Sequence, residues 1–219
     1  MPLTPQTSPR CSLYLVTPLL SGAEANAFAK VFAEALEAAP VACALVRLTP
    51  GSETHAEAAL APVVRAARAA DCALLIENDA RLAARLGADG VHVAGAGADL
   101  GAAIERLKPD RIVGVGSLQT RDEAMTAGEM GADYVMFGEP YGGTRTRNVA
   151  ALAERVAWWA EIFETPCVAY ADTLEAAGEL ADAGADFVAL GEAIWGSSSP
   201  TAAAREAQAW IAGMGVGTP

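Results

Sequence analysis

The segment FGEPYGGTRTR, Phe137 to Arg147, places two glycines, two threonines and two arginines next to one another. Gly142 and Gly143 let backbone amides approach a ligand closely, Thr144 and Thr146 add hydroxyl donors, and Arg145 and Arg147 add charge-assisted bonds. Such a set suits phosphate or pyrophosphate. The plainer alternative is a solvated polar loop whose arginines pair with surface acids. Of the two histidines, His92 lies between Val91 and Val93 and faces either a sheet interior or its covering helices, so it reads first as structural. His55, near the start of a helical stretch, reads as solvated. Cys11, Cys43, Cys72 and Cys167 are far apart, without metal or redox spacing, and each falls in or beside an apolar run. They are expected to be reduced core residues.

Composition sets limits on what such a loop can serve. With 219 residues and 53% apolar content the chain can bury a substantial core. Acidic residues outnumber basic ones 27 to 15, and the net charge of -12 works against nonspecific attraction to nucleic acid or anionic membranes. An anionic ligand therefore needs a locally basic pocket. No apolar run is long enough to span a bilayer, and the opening MPLTPQTSPR is too polar for a signal peptide, so a cytoplasmic protein is expected.

Short β-rich runs alternate with Ala-rich helical stretches. SLYLVT, VACALVRL, CALLI, DGVHV, RIVGVG, DYVMFG, PCVAY and DFVALG read as eight strands, separated by helices with apolar spacings of three and four. Continuous apolar strands between helices imply a parallel sheet covered on its faces, and eight units point to a closed (β/α)8 TIM barrel, with a doubly wound open sheet as the alternative. One domain over residues 1–219 is expected, with irregular tails at about 1–10 and 213–219. LGADGVHV, MGADYVMF and AGADFVAL repeat one helix-end turn, which fixes where the fourth, sixth and eighth strands begin. The far ends of those strands, after Val93, Phe137 and Leu190, then mark the face where barrel enzymes do chemistry, and the Gly-Thr-Arg loop lies on that face.

In their order, LLIEND, RLAARLGADGVHV, IVGVGS, GADYVMFGEPYGGTRTR and AGADFVALGEAI resemble the thiamine phosphate synthase and TenI family over roughly residues 11 to 196. The resemblance implies a (β/α)8 barrel that joins hydroxymethylpyrimidine pyrophosphate to thiazole phosphate with Mg2+ and releases pyrophosphate. It implies that Thr144, Thr146 and Arg147 hold pyrophosphate, with arginine where the family has lysine, and that Arg47 assists as a second catalytic cation. Asn78, Ser117 and Gly191 would contact substrate, and Asp79 and Asp99 would share the metal. An alternative register puts Glu77 and Asn78 at the family's Asn-Asp pair, and Asp79 and Asp99 also suit helix caps. The implied partners are small phosphorylated substrates, with neither nucleic acid nor membrane. Trp158 and Trp159 read as packing against a neighbouring helix or a subunit partner, which allows a homodimer.

Several positions depart from the family pattern. The family's Gln-x-Arg-x-Lys on the second strand is Leu45, Arg47 and Thr49 here, losing a pyrimidine partner and a cation. Ala171 and Asp172 replace the Gly-Gly that receives the thiazole phosphate, and Glu192 adds a second carboxylate. A carboxylate about 4 Å from a phosphate charge costs roughly 4 kcal/mol at an effective dielectric of 20, unless it points away. Glu139 stands where TenI-type tautomerases carry an acid/base histidine and reads as a desolvated acid/base or as a cap or surface pair. Three readings follow: a divergent synthase, a repurposed small-molecule enzyme, or a noncatalytic ligand-binding barrel.

Overall fold

The computed structural model describes residues 11–52, 56–138 and 148–213. Eight parallel strands close into a barrel in sequence order: β1 (Ser12–Leu20), β2 (Val41–Leu48), β3 (Ala73–Glu77), β4 (Gly90–Ala94), β5 (Ile112–Gly116), β6 (Tyr134–Phe137), β7 (Cys167–Ala171) and β8 (Phe187–Leu190). The ring closes where Leu13 of β1 pairs with Val188 of β8. Outside the barrel run α1 (Gly22–Ala38), α2 (Ala56–Ala69), α3 (Ala80–Leu86), α4 (Ala98–Leu107), α5 (Arg121–Glu129), α6 (Val149–Ile162) and α7 (Leu174–Asp182), followed by the one-turn α8 (Glu192–Trp195) and α9 (Pro200–Ile211). The open-sheet alternative is thereby excluded. Helix α9, which the sequence reading did not place, packs against α1 and α7 and closes the helical ring.

Alternation along the strands divides the apolar residues into two cores. Leu13, Leu15, Ala44, Val46, Leu74, Ile76, Val91, Val93, Val113 and Val115 face the helices, while Tyr14, Val16, Cys43, Leu45, Leu75, Tyr134, Met136, Val168, Tyr170 and Ala189 fill the barrel. All four cysteines are buried and free. Burial pushes the thiols of Cys11, Cys72 and Cys167 up to about 12, so they stay protonated packing groups. The tryptophan pair packs within the chain. Trp159 stacks on Phe163 at 4.1 Å, and the Arg121 guanidinium lies over Trp158.

The Gly-Ala-Asp repeat has a second use beyond the helix-end turn. Gly87, Gly131 and Gly184 have φ of 63°, 95° and 101°, the left-handed conformation that suits glycine. The aspartates that follow reach sideways: Asp89 accepts from the Leu74 N–H at 2.7 Å, Asp133 from Val113 at 2.8 Å and Asp186 from Cys167 at 2.8 Å. Each carboxylate thus satisfies a donor near the start of the preceding strand, pinning the barrel's N-terminal rim and leaving the opposite rim to the ligand-facing loops.

Candidate active site at the C-terminal mouth

Register places one row of inward-facing residues across five strands. Val46 pairs with Ile76, which sets Arg47 beside Glu77; Glu77 pairs with His92, His92 with Gly114, and Gly114 with Tyr134. Arg47 and Glu77 stand at the C-terminal ends of their strands, whereas Tyr134 begins β6, so the row descends from the mouth into the barrel. At its top the Arg47 Nε donates to Glu77 Oε1 at 3.1 Å, with the side chains 14% and 10% exposed. Partial burial makes this pair stronger than a surface ion pair, and neither charge can be removed cheaply.

Lower in the row the contacts become neutral. Tyr134 Oη lies 2.8 Å from His92 Nδ1 and 3.0 Å from Tyr14 Oη. His92 is 1% exposed, and burial together with the nearby Arg47 charge lowers its pKa to about 3, so the imidazole is neutral at physiological pH. Its Nε2 is buried without a hydrogen-bond partner among the described residues. Gly114 makes the arrangement possible, since a Cβ there would meet the Tyr134 ring at 2.0 Å. The absent side chain lets Tyr134 lie across β5 and reach His92 on β4. Sequence reasoning singled out His92 but missed Glu77's pairing, Gly114 and Tyr134. The available signal was the glycine within IVGVG, because glycine inside a strand often marks the close approach of another group.

On the other side of the mouth a cavity of about 210 Å3 is lined by Val16, Thr17, Arg47, Tyr170, Gly191 and Trp195, among others. The Thr17 hydroxyl accepts from the Arg47 N–H at 3.0 Å, and the Trp195 indole donates to the Val16 carbonyl at 2.7 Å. Gly191, expected to contact substrate, borders this cavity; a Cβ there would come within 2.7 Å of the Tyr170 hydroxyl. Glu192, the first residue of α8, is exposed and also lines the cavity. Ala171 is buried at the end of β7, and Asp172 is exposed. The cap of α7 is Thr173, whose side chain accepts from the Ala176 N–H, and Asp172 stands one residue before it.

The remaining expected site residues lie on the β3, β4 and β5 rim. Asn78 has φ 54° and turns the chain out of β3; its Oδ1 accepts from the Ala94 N–H at 3.0 Å. Asp79 caps α3, accepting from the Leu82 N–H at 2.8 Å. Asp99 lies in the first turn of α4, where the capping residue is Gly97, so Asp99 is not the cap. Asn78, Asp79 and Asp99 nevertheless line one open cavity of about 840 Å3, together with Arg81 and Arg106. Ser117, after β5, has φ 55°, and its carbonyl accepts from the Gln119 side chain. Of Glu77, Asn78 and Asp79, Glu77 faces the barrel mouth, Asn78 makes the turn and Asp79 caps the helix. No three His, Cys, Asp or Glu side chains among the described residues form a metal cluster. Two carboxylates on one cavity do suit a Mg2+ ion that completes its shell with phosphate oxygens and water.

Thr144, Thr146 and Arg147, with Gly142, Gly143, Arg145 and Glu139, lie outside the described residues, as does His55. The described ends of the Gly-Thr-Arg segment are Gly138, directly after β6, and Asn148, which caps α6 by accepting from the Ala151 N–H.

A parallel (β/α)8 barrel with a cation inside its C-terminal mouth and carboxylates on the rim defines the class: a TIM barrel of the kind whose active sites lie at that face. The sequence comparisons narrow the class. The family model described as thiamine monophosphate synthase matches residues 13–194, and the chain belongs to that family. It is 40% identical over 199 residues to the thiamine-phosphate synthase of Rhodospirillum centenum, covering 89% of this chain and 94% of the relative. To that of Hyphomonas neptunium it is 37% identical over 207 residues, covering 92% and 93%. Among solved structures, thiamine phosphate pyrophosphorylase from Pyrococcus furiosus superposes with a TM-score of 0.77 at 20% identity, covering 94% of this chain and 98% of that one. A 3-hexulose-6-phosphate synthase superposes at 0.69 and 21% identity, covering 91% and 99%. At those identities the superpositions speak for the barrel alone.

Proposed function

We propose that this protein joins hydroxymethylpyrimidine pyrophosphate to thiazole phosphate and releases pyrophosphate, as a thiamine phosphate synthase. The observation that carries this reading is the near full-length match, at 37–40% identity, to two relatives bearing that name. The site chemistry is compatible with it. As pyrophosphate leaves, the pyrimidine methylene becomes cationic and the thiazole nitrogen attacks it, so no side-chain nucleophile is required. What the protein supplies is placement of charge. Arg47, held at the mouth by β2 and by the Thr17 contact to its backbone, stands ready for the departing pyrophosphate. Thr144, Thr146 and Arg147 supply further donors from the segment after β6. Gly191 leaves space beside Tyr170 for the thiazole phosphate, and Asn78 and Ser117 mark the rim on the pyrimidine side.

Asp79 and Asp99 are the residues that would hold Mg2+, which when bound neutralises pyrophosphate charge. The Asp79 Oδ1 that caps α3 leaves its second carboxylate oxygen for that role. Small phosphorylated molecules are the expected partners, and a homodimer is a separate proposal to be tested by the mass in solution. Among the described residues, no helix is long and apolar enough to cross a membrane; location in the cytoplasm remains part of this proposal. Arg47→Ala should lower kcat/KM for the two-substrate reaction by roughly tenfold to a hundredfold, the loss of one charge-assisted bond. Unchanged kinetics would remove Arg47 from the site.

A further inference from the structure

The turn that leaves β5 is held in a strained shape by side chains from two helices. Among the described residues, Asp71, Asn78 and Ser117 are the non-glycine residues with positive φ. Aspartate and asparagine tolerate the left-handed region; serine enters it less readily, so the φ of 55° at Ser117 has to be imposed by its surroundings. Those surroundings are specific. The Gln119 side chain donates to the Ser117 carbonyl at 3.4 Å, and Glu123 of α5 accepts from the N–H groups of Gln119 at 2.6 Å and Thr120 at 3.1 Å. From α6, half-buried Arg155 donates through one terminal nitrogen to the Leu118 carbonyl at 3.2 Å and through the other to the Gln119 carbonyl at 3.3 Å. The same guanidinium lies over the ring of Phe137, the last residue of β6, 5.8 Å from its centroid. No carboxylate among the described residues pairs with Arg155, so its described hydrogen bonds all go to the turn.

We propose that Arg155 is a positioning residue for the pyrimidine substrate: its two-pronged hold on the Leu118 and Gln119 carbonyls keeps Ser117 in the left-handed conformation in which it meets that substrate. The inference rests on the proposed role of Ser117 as a substrate contact. A residue kept in a conformation it disfavours relaxes when a neighbouring hold is lost, and rotation about φ carries its side chain away from the place where the ligand needs it. Arginine suits the task because its planar fork presents two N–H groups at a fixed spacing, whereas lysine has one nitrogen on a flexible stem. Glu123 grips the same turn through its N–H groups, so the backbone donors and acceptors of the turn are held from opposite sides by α5 and α6. Arg155 acts through the backbone, and no covalent bond or proton transfer is involved.

Calorimetry with hydroxymethylpyrimidine pyrophosphate in the presence of Mg2+ tests the hold, with thiazole phosphate as the control ligand. Arg155→Met, which keeps an apolar stem, should weaken binding of the pyrimidine substrate about tenfold, the size of one lost hydrogen bond to a charged group, and leave thiazole phosphate binding nearly unchanged. Arg155→Lys keeps the charge but not the fork and should recover only part of the loss. Ser117→Ala should weaken the same ligand, and the double variant Ser117→Ala/Arg155→Met should bind no more weakly than the weaker single variant, because a hydroxyl already removed cannot be misplaced. Wild-type affinity in Arg155→Lys would show that charge alone matters and would overturn the proposal. So would losses that multiply in the double variant, or equal weakening of both ligands by Arg155→Met, the mark of a general packing defect. Should Arg155→Met fail to fold, Glu123→Gln loosens the same turn from α5 and should give the same ligand-selective weakening, by a few-fold; its absence would overturn the proposal. Wild-type affinity in Ser117→Ala would overturn the proposal and leave the synthase reading intact. Failure of the unaltered protein to bind the pyrimidine substrate would overturn both.

Discussion

The two sides of the barrel mouth are built differently. On the β2–β4 side, charged and polar side chains stand in register, already engaged with one another, and descend into the interior as Arg47, Glu77, His92 and Tyr134. The β7–β1 side is made of Tyr170, Ala171, Gly191 and Trp195, small or aromatic groups around a cavity, with the carboxylates of Asp172 and Glu192 exposed near its edge. The first side holds a fixed cation, Arg47, which the proposed function assigns to the departing anion. The second offers shape and hydroxyl contacts around a cavity that only the edge of Arg47 reaches with positive charge among the residues lining it. A two-substrate reaction in which one partner leaves as an anion and the other only attacks would use such an asymmetry, with binding energy concentrated where charge develops.

Filling the gap that lets the polar row descend should have the largest effect. Gly114→Ala puts a Cβ 2.0 Å from the Tyr134 ring, which is enclosed and cannot retreat freely. It should cost about 3 kcal/mol or more in denaturant unfolding, at the upper end of overpacking effects, and should also displace the tyrosine from His92. A stability change below about 0.5 kcal/mol would show that the row is not packed as described. A corresponding Gly191→Ala on the β7–β1 side meets the Tyr170 hydroxyl at 2.7 Å and the Val16 carbonyl at 3.3 Å, milder overlaps that should cost less stability.

Acid tests the two sides next, because among the described residues the buried histidine belongs to the β2–β4 side. Burial lowers the His92 pKa in the folded protein to about 3 from the ordinary 6.5 of a histidine. The unfolded chain therefore binds a proton first as pH falls, and stability present above pH 6.5 is lost progressively on the way down to about pH 3. The slope attributable to His92 is at most about 1.4 kcal/mol per pH unit. Between pH 6.5 and 5, before most carboxylates titrate, His92→Gln should flatten the profile. An equally steep variant would place the acid sensitivity elsewhere.

At the outer rim, Asp79 and Asp99 line the same cavity yet differ in local duty. Asp79→Ala should lower stability by about 1 kcal/mol through loss of the α3 cap. Asp99→Asn removes no cap and should leave stability nearly unchanged, while weakening pyrophosphate binding in the presence of Mg2+. Equal stability losses in the two variants would contradict the distinction. The smallest effect is expected opposite, at Asp172. Because it is exposed, solvent and salt screen it, and Asp172→Asn should strengthen thiazole phosphate binding only a few-fold, an effect that fades at high ionic strength. A large, salt-independent gain would mean that the carboxylate is turned into a desolvated pocket.

The contrast between the two sides also separates what was legible in the sequence from what was not. Strand positions were readable because each buried strand is a short, continuous apolar run, and the glycines of the repeat mark where helices stop. All eight runs appear as strands, with ends shifted by a residue or a few, the largest being the extension of β1 to Leu20. Function along the strands was harder, because it depends on cross-strand register, which no single segment encodes. Glu77, Asn78 and Asp79 are adjacent in sequence but receive three different duties from where β3 ends against His92. Helix α9 was missed because its alanine-rich repeat carries few large apolar residues; it buries Ala203, Ala204, Ala207 and Ile211 against the ring.

The central claim is that the mouth still carries out the family's two-substrate reaction despite Leu45, Thr49, Ala171 and Asp172. The most direct measurement is formation of thiamine phosphate from hydroxymethylpyrimidine pyrophosphate and thiazole phosphate by the purified protein with Mg2+, followed together with released pyrophosphate. The two products are expected in a one-to-one ratio, with turnover depressed by Arg47→Ala. Pyrophosphate binding without either product, or turnover indifferent to Arg47, would contradict it.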